Sequence, residues 1–219
     1  MNPVIVTSVH LGKIAPLGPQ GVPSAFLKQA VHHPVQVNAL GLAGDEQADL
    51  SVHGGEEKAV YGYSADHYAA WAAEYPQHAA LWQPGSFGEN LSLSGMVEDD
   101  ICVGDVHQIG SVQLQVCQPR QPCFKLALRF NDKHLPKAMV RNGRSGWYYR
   151  VLQGGMLSPG DAVQLVDRPN PGFALSRLVA LVSLGGATPR ELQQMAVMPG
   201  LASQWQQTAQ QMLQDAAAS

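Results

Sequence analysis

Long apolar runs are missing from this chain, as are several familiar chemical signatures. No stretch approaches the roughly 18 apolar residues of a membrane span. Residues 1–16 lack a basic start and a long apolar segment, so they do not read as a signal peptide. Neither a GxxxxGKS/T phosphate loop nor a GxGxxG dinucleotide loop occurs, which argues against those nucleotide folds. HExxH and CxxC are also absent, so a dedicated zinc site has little support. Cysteine is scarce, with only Cys102, Cys117 and Cys123. An odd number without framework spacing argues against a secreted disulfide scaffold and makes a reducing cytoplasm the expected compartment.

Charge is sparse too, at 14% of residues against 45% hydrophobic, as expected for a well-packed globular protein. The net charge of −3 gives no reason to expect nucleic acid as a partner. The 219 residues allow one large domain, or one domain with a small appendage. The distribution of charge is more telling than its total. Arg120, Lys125, Arg129, Lys133, Lys137, Arg141, Arg144 and Arg150 fall within about thirty residues, opposed only by Asp132. Such an excess suggests a nearby anionic ligand, with a solvated helix face as the ordinary alternative.

Inside this basic stretch lies Gln118-Pro119-Arg120-Gln121-Pro122-Cys123-Phe124-Lys125. Two prolines stiffen the approach to Cys123, and cations flank it. Cationic neighbours favour the thiolate, which is both nucleophile and soft-metal ligand. Cys102 and Cys117 sit beside strand-like runs and read as packed, inert thiols.

Strand signals dominate the first part. Val4–Val9, Ile101–Val106, Val112–Val116 and Asp161–Val166 are candidate strands. Gly110-Ser111 is a plausible hairpin turn, and Ser158-Pro159-Gly160 a second turn. Short strands, 22 glycines and 15 prolines favour a mainly β barrel or sandwich over a doubly wound sheet. Ser64 is a candidate cap for a helix that Pro76 would stop. Asp132 is a candidate cap for another that ends near Asn142-Gly143. After a linker-like 167–172, three helices are expected at about 174–184, from Thr188-Pro189, and at about 201–213.

Three glycine-bearing polar loops accompany the cysteine segment: GLAGDEQA at 41–48, VHGG at 52–55 and FGENL at 87–91. Glycine lets backbone N–H groups approach a ligand closely. Each loop also has an ordinary structural reading. Gly44-Asp45 suits a turn, His53 a satisfied histidine, Glu89 an exposed carboxylate, and Asn90 a turn residue. A cysteine hydrolase pairing Cys123 with His53 or His134 is chemically open.

GLAGDEQA, VHGG, FGENL and QPRQPCFKL, in that order, resemble the MOSC family (molybdenum cofactor sulfurase C-terminal domain), and within it the YiiM-type bacterial branch. The resemblance covers most of 1–167 and extends to the helical tail. It implies a closed β-barrel with interspersed helices over 1–167 and a C-terminal three-helix bundle over 173–219. It also implies binding of the molybdenum cofactor (molybdopterin), with Cys123 as the protein thiolate on molybdenum. The implied activity is reduction of N-hydroxylated compounds, such as hydroxylaminopurine-type base analogues, fed by a separate flavoprotein reductase. On that reading Arg120 and Lys125, with some of Arg129, Arg141 and Arg144, bind the cofactor's phosphate or pterin. Asp45, His53, Glu89 and Asn90 line the pocket, and His53 or Glu89 supplies protons. The family also carries an association with pyridoxal phosphate. Two other activities remain open: sulfur transfer through a Cys123 persulfide, and non-enzymatic cofactor binding. A homodimer is left open, and so is whether the C-terminal helices shape the pocket, dimerise or dock the reductase.

Overall fold

A computed structural model describes residues 3–49 and 54–218. The first half contains β1 (Ile5–Gly12), β2 (Ala15–Leu17), β3 (Val22–Ser24), β4 (Lys28–Val31), β5 (Val35–Asn38) and β6 (Gly41–Leu42). After a short 3-10 turn at Glu56–Lys58 come β7 (Val60–Ser64), helix α1 (His67–Glu74) and β8 (Leu91–Ser94). The hairpin β9 (Val106–Ile109) and β10 (Val112–Pro119) leads to α2 (Phe124–Phe130) and α3 (Leu135–Asn142). Strands β11 (Trp147–Gln153), β12 (Gly155–Leu157) and β13 (Val163–Asp167) follow. The chain ends in α4 (Leu175–Leu184), α5 (Pro189–Met195) and α6 (Ser203–Ala217).

Eight strands form one sheet in the order β13-β9-β10-β11-β7-β8-β1-β4. All its pairs are antiparallel except β7 with β8. Strand β10 shows the expected alternation: Val112, Leu114 and Val116 are buried while Gln113 and Gln115 are half-buried. The expected closed barrel is corrected. The strand ladder is open: among the described residues, β4 ends one side, and the start of β1 meets the residues before β13 at the Ile5–Ala162 bridge and its flanking backbone bonds. The reason lies in β1. One edge pairs with β8, and Val9–Gly12 on the other edge pair with β4. Only the start of the strand is left to meet residues 160–163.

Several local expectations also shift. Residues 101–105 form a turn rather than a strand, because the Asp105 carboxylate accepts the Cys102 N–H at 2.8 Å. Asp161 accepts the Ser158 N–H at 2.7 Å in the same way, so both Gly-Asp pairs close similar turns. Ser64 is not a helix cap. It ends β7 opposite Leu93, and α1 starts after Asp66, whose carboxylate accepts the Gly95 N–H instead. Helix α3 ends as expected at Gly143, and Asp132 accepts the His134 N–H just before the helix begins.

Two apolar clusters hold the fold. In one, sheet residues such as Val9, Leu93, Leu114 and Trp147 pack with Leu178, Leu192, Met195 and Ala209 from the C-terminal helices. These helices therefore share a core with the sheet. The other is aromatic: Tyr63, Tyr68, Trp71, Trp82, Phe87 and Phe130 join β7, α1 and α2. Trp82 stacks on Phe130 with centroids 4.3 Å apart. This second cluster stands behind the FGENL loop and the helix that follows Cys123.

Candidate functional site

The two segments that most concern chemistry, 118–125 and 87–91, open onto one cleft. It spans about 560 Å³ when the space open to solvent is counted. One wall comes from β3 to β4, with Ser24, Phe26 and Lys28. A second comes from the loop after β6, with Asp45 to Ala48. Lys58 and Tyr61 line the base of β7, and Phe87, Gly88 and Asn90 the FGENL loop. Arg120, Cys123, Lys125 and Tyr148 complete it.

Cys123 is half-buried, forms no disulfide, and immediately precedes α2. The other two cysteines lie elsewhere. Cys117 is buried in β10, where its thiol donates to the carbonyls of Glu57 and Tyr148 at 3.1 and 3.4 Å. Burial pushes its pKa up to about 12. Burial also raises the Cys102 thiol.

Arg120 is the most unusual group on the wall. Its residue is only 6% exposed. Its guanidinium stands over the rings of Tyr61 and Phe26, 5.0 and 5.6 Å from their centroids. It also lies 3.7 Å from the Met139 sulfur and hydrogen-bonds the Tyr148 phenol. Burial works against its charge, but the Tyr61 and Tyr148 phenols and the Cys123 sulfur outweigh burial and raise its pKa. Lys125 is 9% exposed. Among the described residues neither cation lies within salt-bridge distance of a carboxylate.

The remaining cations of the basic stretch go elsewhere. Arg144 pairs with Glu74 at 2.8 Å over the Trp71 ring. Arg150 pairs with Glu57 at 2.7 Å. Arg141 is exposed on α3, Arg129 lies on α2, and neither lines the cleft. Of the cations expected near the ligand, Arg120 and Lys125 line the cleft and Arg129, Arg141 and Arg144 do not. The others serve helix surfaces and ion pairs.

Asp45 and Asn90 do meet at the cleft. Asp45 accepts from the Gly12 N–H at 2.6 Å, from Lys28 Nζ at 2.5 and 2.6 Å, and from the Asn90 amide at 2.8 Å. Asn90 in turn accepts the Tyr61 N–H at 3.1 Å and donates to the His10 carbonyl at 3.3 Å. It thereby ties β1, β7 and the FGENL loop together. Gly88 supports the close approach of that loop. Its φ is +76°, and a Cβ there would stand 3.1 Å from the Phe26 carbonyl oxygen.

Glu89 is corrected. Its residue is 0% exposed and does not line the cleft. Its carboxylate accepts from the hydroxyls of Tyr68 and Ser92 and from the N–H groups of Gly85 and Phe87. It is neither an exposed loop carboxylate nor poised to reach a ligand. His53 lies outside the described residues. His134 is exposed at the start of α3 and does not line the cleft, so the described residues bring no histidine to Cys123.

Lys28, Lys58, Tyr61, Tyr148 and Phe26 were not legible as site residues. Lys28 is the instructive case. Its side chain is 8% exposed, and burial lowers its pKa despite the opposing pull of Asp45. An isolated lysine in a short strand carries no motif. The only sequence signal for it was the lone Asp45 that needed a partner.

The described residues offer no cluster of three or more metal-ligating side chains. Among the described residues that line the cleft, Cys123 is the one with a soft sulfur ligand. No helix is long and apolar enough to cross a membrane.

Comparison with known proteins places the chain in a family. Residues 49–164 match the family model for the MOSC domain. Protein YiiM of Escherichia coli is 41% identical over 160 residues, covering 73% of this chain and 71% of that protein. A protein named Reductase in Gibberella moniliformis is 41% identical over 177 residues. This chain spans only 31% of its length. The crystal structure of YiiM from Geobacillus stearothermophilus aligns with a TM-score of 0.81 at 34% identity, covering 96% of this chain and all of that one. The likeness thus runs past residue 164 into the C-terminal helices. With more than half of the chain matched to the family model and a relative aligned along most of both lengths, the chain belongs to the MOSC domain family.

Proposed function

We propose that the cleft binds the molybdenum cofactor, and that the loaded protein reduces N-hydroxylated compounds such as hydroxylaminopurine-type base analogues. One observation carries this reading: two buried cations, Arg120 and Lys125, share a wall with Cys123 and lack a carboxylate partner among the described residues. Burying a charge without a partner is costly, so such a wall is built for an anion brought from outside. A thiol beside it adds a soft-metal ligand. An anionic cofactor carrying a thiophilic metal fits both features. The membership of the MOSC domain family and the relative named Reductase support the same reading.

In this reading Cys123 holds the metal, Arg120 and Lys125 hold the cofactor's anionic group, and Asn90 fixes the opposite loop. The cofactor supplies two-electron transfer. Reduction of an N–OH group to an amine consumes two electrons and two protons and releases water. Electrons are drawn from a separate flavoprotein reductase. A proton must reach the departing hydroxyl oxygen. Glu89 lies away from the cleft, so Lys28 is the better-placed carrier on the described wall. Asp45 grips Lys28 through both of its carboxylate oxygens, and Nζ has three N–H groups to share between Asp45 and the cleft. Pyridoxal phosphate plays no part in this reading.

The test is reduction of 6-hydroxylaminopurine by protein produced with cofactor synthesis intact, supplied with a competent flavoprotein reductase. Conversion to adenine by wild type, with a loss of about a hundredfold or more in Lys28→Met at unchanged molybdenum content, is expected. Molybdenum-loaded wild type that gives no amine with any N-hydroxylated substrate would leave a cofactor-binding module only. Persulfide on Cys123 in protein without molybdenum would favour sulfur transfer instead.

A further inference from the structure

The first turn of α6 reaches back to two of the three segments that furnish the cleft with cations. Glu57 lies in the turn just before the cleft residue Lys58. Its carboxylate accepts the Ser203 N–H at 2.9 and 3.1 Å and the Ser203 hydroxyl at 3.0 Å. It also accepts from Arg150 at 2.7 Å. The residue before α6, Ala202, has no capping side chain, so Glu57 caps the helix from 146 positions away.

A second set of bonds runs from the same turn to the cysteine segment. Gln118, buried two residues before Arg120, accepts from the Gln204 amide at 2.8 Å and from the Trp205 indole at 3.3 Å. The amide of Gln118 donates to the Glu57 carbonyl at 2.9 Å. The Ala202 N–H donates to the Cys117 carbonyl at 2.9 Å. Glu57, Gln118 and the start of α6 thus form one closed set of hydrogen bonds.

We propose that Glu57 and Gln118 are positioning residues, through which α6 holds the Lys58 wall and the Arg120–Cys123 wall of the cleft in register. The C-terminal helices then serve the pocket itself, rather than only a dimer contact or a reductase dock. What the cleft holds follows from the proposed function; the clamp stands without it.

The test needs no cofactor. Cys102 and Cys117 are buried, so alkylation of the folded protein by iodoacetamide reports on Cys123. Glu57→Ala should raise that rate by about tenfold well below the melting temperature. Backbone hydrogen exchange at 54–58 and 118–124 should quicken with it. Thr188→Ala breaks the capping box of α5, which touches neither Glu57 nor Gln118, and serves as the stability control. It should lower the melting temperature and leave Cys123 reactivity unchanged. Glu57→Gln keeps one acceptor oxygen and should recover part of the effect. If Glu57→Ala does not fold, Trp205→Phe removes only the indole donor to Gln118 and should give a smaller change of the same sign. A folded variant that loses stability while keeping wild-type Cys123 reactivity and exchange would overturn the proposal. Failure to find molybdenum in wild type would sink the cofactor reading and leave this result intact.

Discussion

Arg120 pays for the cleft's charge before any ligand arrives. The Arg120 guanidinium is buried among ring faces, the Tyr148 phenol and a thioether, with no carboxylate within salt-bridge distance among the described residues. Arg120→Met should therefore leave the cofactor-free protein as stable as wild type, or more stable by about 1–2 kcal/mol, when unfolded in urea. The same variant should lose most of its bound cofactor. A loss of several kcal/mol instead would mean that the charge is already satisfied within the chain. Glu89 makes the opposite case. Four donors converge on its carboxylate, so Glu89→Gln should cost about 1–3 kcal/mol without changing the chemistry of the folded fraction. A variant of wild-type stability that is catalytically dead would return Glu89 to the reaction. Cys123, Arg120, Lys125, Asp45 and Asn90, which stand out in glycine-flanked or proline-flanked motifs, all line the cleft. Lys28 and Tyr148 were not legible, because a strand residue announces its face by alternation but not what that face will meet.

At the scale of elements, legibility followed local chemistry. The Thr188 capping box formed as its residues demand, with Glu191 accepting from the Thr188 N–H at 2.8 Å. The hairpin at Gly110-Ser111 formed for the same kind of reason. Helix α2 was missed because Cys123 precedes it without a capping bond and proline crowds its approach. What holds it is distant: Phe130 stacks on Trp82, and Leu126 is buried in the same aromatic cluster. The clamp at α6 was equally invisible, since nothing local links Glu57 to Ser203. It has a signature in pH. Burial opposes ionisation of Glu57, but the Ser203 and Arg150 bonds prevail and hold its pKa below the usual value of 4.5. A carboxyl lowered on folding contributes stability that is present above its unfolded pKa and is lost as pH falls through the folded one. The melting-temperature gap between wild type and Glu57→Gln should thus shrink between about pH 6 and about pH 3. A gap that is constant over this range would show that the ionised carboxylate is not what caps α6.

For the whole molecule, the β-strands and three closing helices were legible from composition and turn signals, but the expected mainly β character gave way to a mixed sheet-and-helix fold, and closure of the sheet was not legible. Whether two strand ends meet depends on how β1 divides its edges between β4 and residues 160–163, which is a long-range matter. The consequence for function is that the cleft has no single owner. Lys28 comes from β4, Tyr61 from β7, Tyr148 from β11, and the cysteine segment follows β10. The sheet holds these walls apart, and α6 ties two of them together. The proposed function rests on Cys123, a thiol on the same wall as Arg120 and Lys125, which no carboxylate pairs among the described residues. The most direct measurement is the molybdenum-to-protein ratio of wild type and Cys123→Ala, purified side by side from cells that make the cofactor. The account predicts a ratio approaching one in wild type and a loss of about tenfold or more in the variant. Equal molybdenum in the two proteins would contradict it.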